Sequence, residues 1–107
     1  MDFCGEWTAF HDRMPGKDPT LRVNGTCCFT TSGWSAELRD HDGPQGINPR
    51  ILMVDLVVTA PTEVVATVLT EEPARWEQVT AADYDQVHIL VTGDAEGSKL
   101  IDVELVY

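Results

Sequence analysis

Basic residues are scarce in this 107-residue chain: seven lysines and arginines stand against eighteen acids, a formal net charge of −11. A domain of this size with that charge repels phosphate backbones and anionic lipid, which argues against direct nucleic-acid or membrane binding. Long apolar runs are also lacking. The longest, ILMVDLVV at 51–58, is interrupted by Asp55 and falls well short of the roughly 20 residues that span a bilayer. The first residues, MDFCGEWTAF, lack the basic segment and apolar stretch of a secretory signal, so the cytoplasm is the expected location. A glycine-rich phosphate loop, a dinucleotide fingerprint, a nucleophile elbow and a C-x₂-C pair are all missing, which leaves no familiar catalytic or cofactor chemistry. No cofactor and no metal are expected.

Cysteine is sparse, with three in all. Cys27 and Cys28 are adjacent, and adjacent residues in a strand point to opposite faces, so they cannot converge on one metal ion. Cys27 reads as a small core hydrophobe, with Cys4 and Cys28 as unpaired thiols. A bridge from Cys4 to Cys27 or Cys28 is geometrically open, but the reducing cytoplasm disfavours it. His11, His41 and His88 do not fall at spacings that gather ligands, so a metal site of His11, His41 and Cys28 is the least favoured reading. Asp40 and Asp42 with Gly43 form a D-x-D-G start, but Ile51 stands where a calcium loop closes with glutamate, so a turn is expected.

What the sequence has is alternation. Leu21, Val23, Cys27 and Phe29 share one face of a strand over 20–30. Trp34, Ala36 and Leu38 share a face of the next, and the two are expected to pair across a turn at 31–33. Residues 51–58 are apolar on both faces, as in a central strand. Before the segment 64–72, Pro61 and Glu63 are helix-opening signals, but five of its nine residues are β-branched, so a strand is expected there. Pro73 places that strand at a sheet edge or a bulge. Residues 80–85 read as a corner. Val87, Ile89 and Val91 point inward on a strand that forms a hairpin with the last, whose inner face is Ile101, Val103, Leu105 and Tyr107.

Six to eight short strands at this spacing predict an all-β, single-domain antiparallel β-sandwich. Residues 1–19 are expected to be an irregular segment packed on a sandwich of residues 20–107, with WTAFH as a short edge strand. Tyr84 before an inward-alternating strand suggests the tyrosine corner of immunoglobulin-like folds, with Trp34 or Trp76 as the core tryptophan. The stretches HDRMPGKDPTLRV (11–23) and QGINPRILMVDLVV (45–58) resemble small bacterial immunoglobulin-like β-sandwich proteins. The resemblance implies the fold and no particular activity.

Two segments are candidate binding sites. The loop 41–50 carries His41, Asp42, Gln45, Asn48 and Arg50, a set equipped to hydrogen-bond a partner. The N-terminal segment carries Phe3, Trp7, Phe10, His11 and Arg13, an interface anchor if its aromatic rings are exposed and a cap on the sandwich otherwise. The leading expectation is a non-enzymatic, acidic interaction module of inhibitor, immunity or accessory type, binding a basic protein surface. Asp40, Asp42, Glu71 and Glu72 would steer it, and a strand edge is available for self-association. The alternative is a small-molecule site with minor cyclase or isomerase activity, lined by Trp34, Trp76 and Tyr84, with His41 or His88 as the acid-base group.

Overall fold

The alternating segments form seven strands: β1 (Asp2–Asp12), β2 (Thr20–Phe29), β3 (Ser35–Asp40), β4 (Ile51–Thr59), β5 (Thr70–Val79), β6 (Gln86–Gly93) and β7 (Gly97–Val106). The computed structural model describes residues 1–63 and 65–107, and no helix occurs among them. The strands make one sheet in the order β3-β4-β6-β7-β1-β2-β5. Two neighbouring pairs, β4 with β6 and β7 with β1, are parallel and the other four are antiparallel. The sheet curls until its two outer strands, β3 and β5, lie side by side, where the Trp76 indole on β5 donates to the Asp40 carboxylate on β3 at 2.9 Å. The result is a nearly closed, flattened barrel.

The curl is made at β7. Its first part, Gly97–Asp102, pairs with β6, and its second part, Val103–Val106, pairs with β1. One strand thereby hands the sheet from one side of the barrel to the other.

The interior follows the period of two. Leu21, Val23, Cys27 and Phe29 of β2 are buried, as are Leu52, Val54, Leu56 and Val58 of β4 and Val87, Ile89 and Val91 of β6. At position 25 the inward place on β2 is a glycine, and the Trp7 ring from β1 occupies the space a side chain there would need. The Trp7 indole donates to the Thr26 carbonyl at 3.0 Å, so its one polar atom is satisfied inside the core. Trp7 is therefore the buried tryptophan, while Trp34 and Trp76 are only partly buried and pack against the core.

Several expectations are corrected. Residues 2–12 are an extended strand between β7 and β2, neither irregular nor at an edge. Their alternation is obscured because the register with β2 shifts between Cys4 and Thr8, next to Gly5 in the left-handed region (φ 64°). β2 and β3 do not pair: β2 lies between β1 and β5, and β3 pairs with β4. Phe29 and Trp34 stack at 5.2 Å where the chain crosses between them. The strand expected over 64–72 begins only at Thr70. Residues 65–69 have no regular structure, and the start of that segment, at 64, lies outside the described residues. Pro73 does sit on an edge strand, β5, where its missing N–H is tolerated. On β7, Ile101 is buried and Val103 partly so, but Leu105 and Tyr107 are exposed, although Leu105 pairs with buried His11.

Finally, Cys4 and Cys28 are joined by a disulfide, with Cα atoms 5.9 Å apart, and are not free thiols. Strand parity did place Cys27 and Cys28 on opposite faces. Once β1 is a strand paired with β2, Cys4 falls on the same outer face as Cys28. Cys27 remains a buried free thiol.

Candidate functional site

Asp55 is an acid in the middle of an otherwise apolar central strand. Its side chain points to the outer face of β4, yet the residue is only 7% exposed. The loop that follows β3 covers it. The His41 ring, through Nδ1, is 2.7 Å from one carboxylate oxygen, and the Asp42 amide donates to the other at 3.0 Å. Burial pushes the Asp55 carboxyl up. The His41 hydrogen bond, the Asp42 amide and the charge of the imidazole outweigh burial and hold it below the usual carboxylate value.

The same loop is tied down further along. β3 ends opposite Val54, so Met53 on β4 has no backbone partner on that side. The Gln45 side chain takes the place of the missing strand: its carbonyl accepts from the Met53 amide at 2.8 Å and its NH₂ donates to the Met53 carbonyl at 3.2 Å. Asn48 accepts from the Arg50 amide at 2.9 Å. Arg50 grips Asp85 with two nitrogens, at 2.6 and 2.8 Å. The hydrogen bonds to Arg50 lower the Asp85 carboxyl and raise the guanidinium.

The N-terminal candidates divide between the two faces of β1. Trp7 and His11 are enclosed in the interior, and Phe10, between them in alternation, lies on the outer face half-buried. His11 is completely buried. Its Nδ1 accepts from Arg13 at 3.2 Å, which places the ring proton on Nε2, 2.8 Å from the Thr80 carbonyl. Arg13 also reaches the Ala81 carbonyl and forms an ion pair with Asp83. His11 of β1 and Arg13 just past its end, with Arg50 just before β4, therefore pin the corner 80–85.

Eight of the candidates thus fall in three local clusters and not one site, while Phe10 lies apart on the outer face of β1. His41, Asp42 and Gln45 gather on β4, Asn48 and Arg50 sit just before it, and Trp7, His11 and Arg13 support the interior and the corner. Asp55, Asp83 and Asp85, the acids that hold these groups, were not among the sequence candidates. Asp55 had a visible signal, since a carboxylate interrupting a central apolar strand requires a partner. Asp83 and Asp85 had none, being acids in an acidic turn.

Open clefts exist elsewhere. One, about 390 Å³, lies between Gly5–Ala9 of β1 and Lys99–Asp102 of β7. Another, about 360 Å³, lies over Arg22, Asn24 and Arg75–Glu77. Neither is lined by a histidine. Among the described residues, no three His, Cys, Asp or Glu side chains gather as a metal would require. None of the helix-free fold offers a helix to cross a membrane, again among the described residues. No protein-family model, curated protein or solved structure matches the chain.

Proposed function

We propose that this chain is a non-enzymatic interaction module that presents an acidic surface to a basic protein. The carrying observation is the disposition of charge. Eighteen acids face seven bases, and Arg13, Arg22, Arg39 and Arg50 already hold acids of this chain. The field left for a partner is therefore strongly negative, which favours fast, salt-sensitive encounter with a cationic surface. The loop 41–50 supports the same reading. Its polar groups fasten it to β4 and to the corner 80–85, so it meets a partner as a preformed surface at low ordering cost.

The relation to immunoglobulin-like sandwiches is part of this proposal. The β1-β2-β5 side and the β6-β7 pair follow the A-B-E and F-G adjacencies of that fold. The flattened section, with extents of 49 × 28 × 18 Å, suits two facing layers. The position of β4 between β3 and β6, parallel to β6, departs from it. The Cys4–Cys28 disulfide bears on location: it favours an oxidising compartment over the cytoplasm expected from the sequence.

The small-molecule reading has one observation in its favour, the pairing of His41 with a carboxylate. A Leu, Val and Ile interior weighs against it, as does the lack of a histidine in either cleft, although Trp76 lines the second.

Affinity capture with the oxidised protein, at low and then high salt, tests the leading reading. A basic protein retained at low salt and released at high salt is the expected outcome. Retention that is indifferent to salt, or none at all, overturns it. In the latter case, small molecules that raise the melting temperature become the next search.

A further inference from the structure

The handover at β7 leaves two strand edges open toward each other. β1 pairs with β2 from Asp2 onward on one side, but with β7 only from Ala9 to Asp12 on the other. β7 pairs with β6 over Gly97–Asp102 and with β1 only beyond that point. Among the described residues, the β7-facing edge of β1 before Ala9 and the β1-facing edge of β7 before Val103 have no ladder partner. The two strands diverge there into a wedge, and the cleft of about 390 Å³ is that wedge.

The two edges differ. The β1 edge is interrupted by the register shift near Gly5, which twists it away from regular pairing. The β7 edge is regular across six residues in register with β6, a length of roughly 20 Å at strand rise. Two of the lining side chains rest on Phe3: the Lys99 ammonium lies 5.8 Å from the centre of its ring, and Trp7 meets it edge-on at 5.1 Å. The rim is acidic, with Glu6 on one side and Asp102 and Glu104 on the other, while Lys99, the cation of the cleft, is turned onto Phe3.

We propose that this wedge is a strand-acceptor site, in which an extended basic segment of a partner protein adds to the open edge of β7 between Gly97 and Asp102. Main-chain hydrogen bonds to the edge supply affinity, and the acidic rim selects for lysine and arginine on the incoming strand. A second copy of this chain is a poor occupant, because it brings its own charge of −11 to an acidic rim. The inference rests on the interaction-module reading above and says where and how such a partner binds.

The test uses the intact, oxidised protein and two capped peptides, one alternating lysine with valine and one alternating glutamate with valine, read by residue-resolved amide hydrogen exchange. In the free protein, outward amides of Gly97–Asp102 exchange fast. The lysine peptide slows them by about tenfold or more, the glutamate peptide does not, and added salt reverses the effect. Glu6→Lys combined with Glu104→Lys, with an unchanged melting temperature, abolishes the protection. Edge amides already protected in the free protein would overturn the proposal. So would lysine-peptide protection that maps to β3, β5 or the loop 41–50, although that result would leave the acidic-module reading standing. Absence of any protection, together with an empty low-salt capture, would remove both.

Discussion

Gly25 and Trp7 occupy one side-chain space between them. A Cβ built on Gly25 would fall within the indole ring of Trp7, although the backbone at residue 25 is not in the left-handed region. The glycine is required by what lies against it and not by its own torsions. Gly25→Ala should therefore cost stability by overpacking, about 1–3 kcal/mol. Trp7→Leu should cost stability through a lost ring and a partial cavity. The double variant should lose less than the sum, because the shortened side chain makes room for the methyl. Denaturant melts of the four proteins check this, and strict additivity would show that the two residues do not compete for one space.

The His41–Asp55 contact gives a prediction with a definite sign in pH. The Asp55 carboxyl is held below its unfolded value by His41 and the Asp42 amide, against the opposing effect of burial. Its stabilisation is complete above the unfolded pKa of about 3.9 and is lost as pH falls through the lower folded value. Asp55→Asn removes that charge. At neutral pH the variant should be less stable by about 1–3 kcal/mol, as hydrogen-bond partners are left poorly matched in a buried place. The gap to the parent should narrow as pH falls below about 4. Urea melts across the acid range check it, and a gap independent of pH would mean the charge of Asp55 contributes nothing.

These two sites also show what the sequence carries and what it does not. Burial every second residue is a local signal, so the inner faces of β2, β4 and β6 were legible, down to Cys27 inside and Cys28 outside. The β6–β7 hairpin was legible because its turn is short and both strands alternate cleanly. Strand adjacency is not local. β2 and β3 are consecutive and separated by a turn, yet the chain leaves one side of the barrel and enters the other at Gly33, whose φ of 87° lets it pass against Pro61. β1 was hidden by the irregularity near Gly5, and with it went the neighbour that brings Cys4 to Cys28. Gly25 was in plain view as a glycine inside an alternating strand, the usual mark of a close approach, but its partner Trp7 lay in the segment read as irregular. The loop 41–50 was correctly bounded as a loop. That its polar groups bind β4 depended on where β3 stops, which parity does not reveal.

Gln45 makes that last point testable. It completes the ladder beside Met53 where β3 has ended. Gln45→Ala should speed exchange of the Met53 amide markedly and cost about 1 kcal/mol of stability. Amides on the β6-facing side of β4 should be unaffected. Equal exchange at Met53 in parent and variant would show that water serves there as well as the side chain does.

The cysteines supply the final prediction. The Cys4–Cys28 bridge ties β1 to β2 across a sequence separation of 24. By the chain-entropy account a loop of that size stabilises the fold by about 3.5 kcal/mol, relative to the reduced chain. Cys27 is fully buried, and burial, with the charge of Glu72 second, pushes its thiol up to about 11. A thiol reagent should therefore find nothing to react with in the native oxidised protein, one group after unfolding in denaturant, and three after reduction and unfolding. Cys4→Ser with Cys28→Ser should lower the melting temperature under oxidising conditions, and a reductant should have no further effect on that variant. Should the native protein instead label at two or more cysteines, the bridge is absent, and the argument for an oxidising compartment goes with it. β1 would then be held by Trp7 and its strand pairings alone, and its first residues, Asp2–Cys4, should be the earliest part of the sheet to exchange.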